Sequence, residues 1–159
     1  MSLTIRRANP SDQAVLVEFN AALAWETEHK RLRQDVLAAG VRAVFADSAR
    51  GFYTLAEEAG EIIGQMMVTF EWSDWRNGWF WWVQSVYVRE DARRKGVFRA
   101  LYKGVQRQAI ADPNVIGLRL YVESDNTRAQ ATYRALGMTK TTYGVMEEYP
   151  LPGRKSDLD

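Results

Sequence analysis

Runs of apolar residues along the chain predict several strands arranged around one central hairpin. The segment Leu3–Arg7 alternates apolar and polar residues, which is typical of a short strand. Long apolar runs at 62–72 and 79–88 are separated by Asn77-Gly78, a strong turn signal, and therefore predict a hairpin. Because the second run is apolar at nearly every position, we expect a central strand that is covered on both faces.

Apolar residues at helical spacing predict four helices. The first begins at Asn9-Pro10, because Asn can cap a helix and proline fits its first turn. We expect Gly40 to interrupt the second helix. The third helix follows a charged loop at 89–96, and the fourth ends at Gly137, a natural C-terminal cap.

The elements together predict one mixed domain. The other apolar runs predict strands at 51–57, 115–123, 138–142 and 143–149. The resulting order, β-α-α-β-β-β-α-β-α-β-β, is typical of an α+β (mixed α/β) fold, with a mostly antiparallel mixed sheet flanked by helices. The strand–helix–strand unit at 79–123 is expected to be a parallel crossover. We expect residues 1–149 to form a single domain and residues 150–159 to form a polar tail that frays.

Composition excludes several classes of protein. Hydrophobic residues make up 47% of the chain and charged residues 26%, close to an ordinary globular protein. No run of about 20 apolar residues predicts a membrane span, and residues 1–10 do not look like a secretory signal. With no cysteine and one histidine, His29, we expect no disulfide, no cysteine-linked intermediate and no metal. We expect a cytoplasmic protein without a membrane partner.

The basic loop before the third helix is the most informative stretch. Arg93, Arg94, Lys95 and Arg99 surround Gly96 in a chain whose formal net charge is only +1. Free amides at a helix start attract anions, and glycine allows close approach of a ligand, so the loop could bind a phosphate or pyrophosphate. A solvated basic loop is the alternative, and spacing alone does not decide between them. The pattern is neither a P-loop nor a dinucleotide fingerprint.

Three segments, taken in order, carry a resemblance to a known family. Residues 86–88 end a central strand, and residues 93–98 are similar to an Arg/Gln-x-x-Gly-x-Gly/Ala pyrophosphate loop. Asn126 and residues 133–138 are similar to an Asn followed by a Tyr-x-x-Leu-Gly-Phe/Met segment. The chain therefore resembles the GNAT superfamily of acetyl-CoA-dependent N-acetyltransferases, best over residues 79–137.

The resemblance implies an acyltransferase that moves the acetyl group of acetyl-CoA directly to a primary amine of a small molecule or peptide. In this family, pantetheine inserts where a bulged strand like 79–88 splays from a strand like 115–123. The residues implied to hold the coenzyme are Val86, Tyr87, Val88, Arg93, Arg94, Lys95, Gly96, Val97, Phe98, Arg99, Asn126 and Tyr133. Phe98 departs from the family's Gly or Ala.

The resemblance also implies catalytic roles. Tyr133 would protonate the leaving thiolate, against the alternative of an ordinary core tyrosine, and the Val86 amide would stabilise the oxyanion. An alkylamine is protonated at pH 7 and needs a base. Glu26 is our preferred base because an apolar neighbour, Trp25, would raise its pKa. An exposed glutamate without a role is the alternative reading. Glu28, Glu71 and His29 are the other possible bases.

The acceptor side is the least defined part of the prediction. Five of the six tryptophans lie between residues 72 and 82, and Trp72 and Trp75 near the hairpin tip are expected to be exposed. With Glu71 they could form an aromatic, acidic pocket for a cation, or a contact in a homodimer. The residues predicted to face the acceptor are Glu26, Glu71, Trp72, Trp75 and Gln84.

Two other functions compete with catalysis. Gln84 stands where some amine acetyltransferases of the family have an acidic base, so a non-catalytic acyl-CoA-binding or regulatory module is the main alternative. A nucleic-acid binder that stacks bases on the tryptophans ranks last, because Glu71 and Asp74 flank them and the net charge is small. We therefore expect no nucleic-acid partner.

Overall fold

A five-stranded sheet forms the centre of the molecule. The computed structural model describes residues 2–157. The strands are β1 (Leu3–Arg7), β2 (Phe52–Glu58), β3 (Glu61–Ser73), β4 (Gly78–Val88) and β5 (Val115–Leu120), and they lie side by side in that order. The pairs β1–β2, β2–β3 and β3–β4 are antiparallel, whereas β4 and β5 are parallel. The mixed, mostly antiparallel sheet is therefore confirmed, as is the parallel pairing around the third helix.

Helices cover both faces of the sheet. They are α1 (Gln13–Glu28), α2 (Gln34–Ala46), α3 (Val97–Ala111) and α4 (Thr127–Ala135), with short 3-10 turns at Pro10–Asp12 and Glu90–Ala92. Alternate residues of β2 join different cores, as the period of a strand requires. Phe52 and Ala56 pack in the core beneath α3, while Tyr53 and Leu55 pack with α1 and α2 on the opposite face.

The predicted cap at Asn9 is present, but it caps the 3-10 turn Pro10–Asp12, which leads directly into α1 at Gln13. The Asn9 side chain accepts a hydrogen bond from the Ser11 amide at 3.0 Å, and the Asp12 carboxylate accepts one from the Asn9 amide at 2.8 Å. Arg6 donates to Asp12 at 2.9 Å and to Glu57 at 2.8 Å, which ties β1 to this helix start. The Arg6 guanidinium lowers the pKa of the buried Asp12 carboxyl.

The two C-terminal strands were predicted wrongly. Residues 138–149 form no strand, and β5 ends at Leu120 rather than at residue 123. The segment contains three Thr, two Glu and one Lys, and only its first residue, Met138, packs against the core. Tyr143, Val145 and Met146 stay exposed, so the apolar pattern has no buried face to pack on.

Two smaller expectations were also wrong. Helix α2 runs unbroken through Gly40, since isolated glycine lowers helix stability without ending a helix. One face of β4 is only partly covered, because α1 and α2 pack around β2 and leave Phe80 and Trp82 half-buried. In the described part of the tail, the carbonyl of Asp157 accepts a hydrogen bond from the Arg33 amide at 2.9 Å, and fraying of the tail stays a prediction. Within residues 2–157, no helix is long and apolar enough to span a bilayer.

Candidate active site

A gap opens in the sheet halfway along β4. Pairing with β5 runs from Trp79 opposite Val115 to Val83 opposite Leu120, and β5 ends there. Strand β4 continues for five more residues to Val88, still paired with β3 on its other side. The last part of β4 therefore presents backbone groups to an open slot rather than to a neighbouring strand.

A bulge in β4 marks the start of this slot. The register with β3 shifts between Gln65 and Met67, and Ser85 adopts a left-handed conformation with φ of 50°. The buried Gln65 side chain donates a hydrogen bond to the Ser85 carbonyl at 2.9 Å. Bulges bend a strand and re-aim its groups, so this one turns the end of β4 away from β5.

Alternation along β4 decides which amides face the slot. The Arg89 amide donates to the Ile63 carbonyl at 2.9 Å and therefore points toward β3. Successive residues of a strand turn their amides to opposite sides, so the amides of Val88 and Val86 point away from β3 and into the slot. These are the two positions that the resemblance implied for pantetheine binding.

The loop before α3 presents a row of free amides. Arg94 has φ of 63° and Gly96, the N-cap of α3, has φ of 80°. The first helical hydrogen bond is donated by the Ala100 amide to the Gly96 carbonyl. Within the described chain, the amides of residues 94–99 find no acceptor. Amides at a helix start carry partial positive charge, so this loop can hold a diphosphate.

Gly64, which the sequence reasoning did not single out, allows the loop to approach the sheet. A Cβ atom at this position would lie 3.1 Å from Val97 Cγ1 and 3.3 Å from Leu101 Cδ1. The first turn of α3 therefore rests directly on β3, close to the end of β4. The available signal was an isolated glycine within a strand pattern, which often marks a close approach.

Tyr133 lies on α4 beside the loop. Its ring centre is 5.9 Å from that of Phe98, which in turn packs 6.3 Å from Tyr102. Phe98 therefore turns its ring toward α3 and α4, and its amide stays available. Burial raises the pKa of Tyr133, and its hydroxyl has no hydrogen-bond partner among residues 2–157. A protonated phenol without a partner can donate to a reacting atom.

Helix α4 is fixed by two polar side chains. Asn126 caps it, because its side chain accepts a hydrogen bond from the Ala129 amide at 3.0 Å. The buried Gln130 donates to the carbonyls of Glu123 at 3.1 Å and Ser124 at 3.0 Å. Gln130 was missed by the sequence reasoning, since a single glutamine in a short helix gives no signal. Both contacts anchor the helix that carries Tyr133.

Comparisons with known proteins agree with this geometry. The profile of the Acetyltransferase (GNAT) family matches residues 16–138, which is most of the chain. The chain belongs to the GNAT acetyltransferase family. The crystal structure of a possible acetyltransferase from Clostridium difficile 630 is 42% identical, covers 95% of this chain and 99% of its own, and superposes with a TM-score of 0.88.

Two curated relatives are named mycothiol acetyltransferase. The protein from Mycolicibacterium gilvum is 30% identical over 82% of this chain and 43% of its own length. The protein from Sanguibacter keddieii is 31% identical over 94% of this chain and 47% of its own length. This chain therefore spans less than half the length of these relatives. Both relatives, like the matching family, are named for acetyl transfer.

In this GNAT protein, Arg93 connects the loop to α1 and β4. Its Nη2 donates to the Glu26 carboxylate at 2.8 Å and its Nε donates to the Val88 carbonyl at 2.8 Å. The guanidinium also lies over the Tyr87 ring, 5.5 Å from its centre. The Lys95 ammonium donates to the Asp91 carbonyl. Arg93 therefore ties the loop to α1 and β4, and Lys95 closes the loop back onto Asp91.

The predicted rise in the pKa of Glu26 is wrong. The hydrogen bond from Arg93 lowers the pKa of this carboxyl, burial opposes that change, and the Tyr87 hydroxyl lowers it further. Trp25, the expected apolar neighbour, is itself exposed and packs against His29 with ring centres 5.5 Å apart. In this arrangement Glu26 is an ion-paired carboxylate.

The face of the sheet opposite α3 carries two other predicted acceptor residues, Glu71 on β3 and Gln84 on β4. The Glu71 carboxylate accepts hydrogen bonds from Trp82 Nε1 at 2.8 Å and from Arg119 Nη1 at 3.1 Å. The Gln84 side chain donates to the hydroxyl of Thr69. The expected cation pocket needs an unpaired Glu71, and the structure pairs that carboxylate with Arg119.

The hairpin tip is exposed, as predicted. Trp75 is 87% exposed and Trp72 is 48% exposed, with Trp72 packed against Trp79. They line a cavity of about 330 Å³ that also contains Asp74 and Arg76. A larger cavity of about 800 Å³ lies between β5 and residues 138–146 and reaches Tyr133. Among residues 2–157, no group of three or more His, Asp or Glu side chains could hold a metal ion.

Proposed function

We propose that this GNAT protein transfers the acetyl group of acetyl-CoA directly to a primary amine of a small molecule or peptide, in a ternary complex. The observation that carries the proposal is the open slot at the end of β4 beside the free amides of residues 94–99. A diphosphate on those amides would lead a thiol-ended chain into the slot. The two curated relatives, both named as acetyltransferases, support acetyl as the group transferred.

The residues proposed to hold the coenzyme divide into three groups by their position. The amides of Val86 and Val88 bind the pantetheine arm, while residues 93–99 bind the diphosphate. The Tyr87 ring packs against the guanidinium of Arg93. Asn126 fixes the start of α4. The slot thus has donors along its length, which fits an arm containing amide carbonyl groups.

Each bond change in the reaction has a proposed partner in the chain. The amine nitrogen attacks the thioester carbon, and the Val86 amide donates to the carbonyl oxygen as negative charge develops there. The carbon–sulfur bond breaks, and Tyr133 gives its proton to the leaving sulfur. The attacking nitrogen loses one proton to solvent as the amide forms, and Tyr133 regains its proton from solvent. Burial raises the pKa of Tyr133, so the hydroxyl keeps this proton at neutral pH. The ammonium form of the amine must first lose a proton to a base.

Glu26 remains our proposed base. We propose that its ion pair with Arg93 acts as a switch that controls the pKa of Glu26. While Arg93 pairs with it, Glu26 is a weak base because its pKa is lowered. A coenzyme phosphate bound at residues 94–99 would compete with Glu26 for the same guanidinium. Release of Glu26 would then raise its pKa toward the ordinary value. The base would become effective only after the coenzyme has bound.

The pKa of Glu26 provides a test of this switch. We expect Arg93→Gln to raise the pKa of Glu26 in the free protein, because the variant removes the guanidinium hydrogen bond that lowers it. Carbon-13 NMR of the labelled carboxyl would follow the titration. Lys95→Gln is the control, because Lys95 is a loop cation that donates to the Asp91 carbonyl and not to Glu26. This variant should leave the pKa of Glu26 unchanged. Equal pKa values in Arg93→Gln and the wild type would exclude Arg93 as the switch.

The non-catalytic module remains the second candidate. It is favoured by the pairing of both Glu26 and Glu71, which leaves no free carboxylate at the predicted acceptor residues. An acceptor panel of amines, polyamines, aminoglycosides, amino acids and peptides, assayed for free CoA, separates the two functions. We expect turnover with at least one class of amine. Tight binding of acetyl-CoA without turnover on any amine would favour the module instead. Homodimer formation and a cytoplasmic location stay predictions from the sequence.

A further inference from the structure

Arg119 lies where the slot begins. It is the β5 partner of Trp82, one residue before the last β4–β5 pair. Its side chain contacts Phe80 and Glu71, on the face of the sheet opposite α3. The diphosphate loop belongs to the α3 side. Arg119 therefore stands on the side from which an acceptor would approach a thioester lying in the slot.

The guanidinium of Arg119 is held in one orientation before any ligand binds. Its central carbon lies 3.6 Å from the centre of the Phe80 ring, and Nη1 donates to Glu71. Glu71 is itself fixed by the indole of Trp82. Two contacts of different kinds thus fix both the plane and the rotation of the group. A fixed guanidinium loses little entropy when it binds an anion.

Arg119 also keeps donors for a ligand. Its Nε and Nη2 atoms donate to no acceptor within residues 2–157, and its side chain is 20% exposed. Adjacent Nε and Nη2 donors can form two parallel hydrogen bonds to the oxygens of a carboxylate or phosphate. Glu71 accepts only from Nη1, so the edge of the guanidinium that carries Nε and Nη2 stays open to a ligand.

Arg119 lines both cavities, of which the smaller also contains Glu71 and Asp74, and the larger one favours negative charge. The larger cavity of about 800 Å³ brings Arg119 together with Arg134, Lys140 and Tyr133. Of the lining residues in the described chain, none is an Asp or Glu. Aromatic walls come from Trp82 and Tyr121, whose ring centres are 4.6 Å apart. A polyamine would meet cations here, whereas an acidic group would meet paired donors.

We propose that Arg119 binds a carboxylate or phosphate of the acceptor, so that the protein acetylates amines bearing an anionic group in preference to neutral amines and polyamines. This inference rests on the proposed acetyl transfer and specifies its substrate class. The amine would then lie between the Arg119 anchor and the slot, on the side of the sheet that also carries Glu26.

Matched pairs of acceptors test the proposal. Each pair differs in the acidic group: an amino acid and its carboxamide, and an amino sugar phosphate and the parent amino sugar. Because the carboxamide lowers the pKa of the adjacent amine, kcat/KM is compared per unprotonated amine. We expect kcat/KM to favour the acidic member by at least about 10-fold, the usual scale of a hydrogen bond to a charged group. The double variant Arg119→Met/Glu71→Gln, which leaves no unpaired carboxylate, should raise KM for acidic amines by about 10- to 100-fold, a larger rise than for their neutral partners.

Two further variants separate binding from structure. Arg76→Met is the matched control, because Arg76 lies over the same Phe80 ring at 5.4 Å but lines only the smaller cavity. It should keep the preference for acidic amines. Arg119→Lys keeps a positive charge beside Glu71 but lacks the adjacent Nε and Nη2 donors of the guanidinium. This variant should lose most of the preference for acidic amines.

The possible results are distinct. Equal kcat/KM for the two members of each pair in the wild type would overturn the proposal, as would an unchanged preference in both Arg119 variants. Either result would leave acetyl transfer itself intact, because turnover would still be measured. Binding of acetyl-CoA without turnover on any member of the panel would instead reject the proposed function, and this inference with it.

Discussion

Replacing Gly96 by glutamate should weaken acetyl-CoA binding by more than about 100-fold, since a like charge set against a bound anion costs several kcal/mol. The new carboxylate would stand among the amides of residues 94–99, where we place the diphosphate. The positive φ of Gly96 adds strain for any other residue. A Cβ atom here meets no protein atom within 4 Å, so the chain itself has room for the side chain. Isothermal titration calorimetry with acetyl-CoA would measure the loss.

Gly60 provides a matched control for this substitution. It also has a positive φ, 78°, and open space around a would-be Cβ, but it lies in the turn between β2 and β3. Gly60→Glu should therefore carry a similar folding strain and bind acetyl-CoA like the wild type. Similar affinity in both variants and the wild type would reject the loop as the diphosphate site.

Replacing Tyr133 by phenylalanine should lower kcat by about 100-fold or more, the range for loss of a general acid, while acetyl-CoA affinity changes by less than about threefold. Only the hydroxyl is removed, and the ring keeps its contact with Phe98. Because burial raises the pKa of Tyr133, wild-type activity should stay high through neutral pH and fall only above the ordinary tyrosine pKa of about 10. Steady-state kinetics across pH would measure both effects.

Tyr102 is the appropriate comparison for Tyr133. Its ring also packs near Phe98, and burial raises its pKa in the same direction, but it lies inside α3 and away from the slot. Tyr102→Phe should keep kcat within about twofold of the wild type. If Tyr133→Phe retained full kcat, the hydroxyl would have no part in the chemistry, and the leaving sulfur would have to be protonated by solvent.

The parts of the fold that depend on local patterns were predictable from the sequence. Alternation identified β1, the turn residues Asn77 and Gly78 placed the central hairpin, and Asn9 marked the start of the first helix. The segment 138–149 was not predictable in this way. Its apolar residues follow a strand pattern, but strand formation depends on a neighbouring edge and a buried face, which periodicity alone does not reveal.

In the candidate site too, features set by local motifs were predictable and features set by distant contacts were not. Residues 93–99 form a contiguous motif, so the sequence identified them together, and Tyr133 followed from its own motif. The ion pairs of Glu26 with Arg93 and of Glu71 with Arg119 join residues far apart in the chain. Such pairing decides whether a carboxylate can act as a base, and no spacing rule predicts it. Gln65 gave no signal for the same reason, because its hydrogen bond reaches Ser85 on another strand.

The central claim is that residues 94–99 bind the diphosphate of acetyl-CoA and direct its thioester into the slot beside β4. A crystal structure of the protein with acetyl-CoA tests it most directly. We predict diphosphate oxygens within hydrogen-bond distance of those amides, and the pantetheine arm along Val86 and Val88 with its sulfur near Tyr133. A coenzyme bound elsewhere, with β4 and β5 closed against each other, would contradict the account.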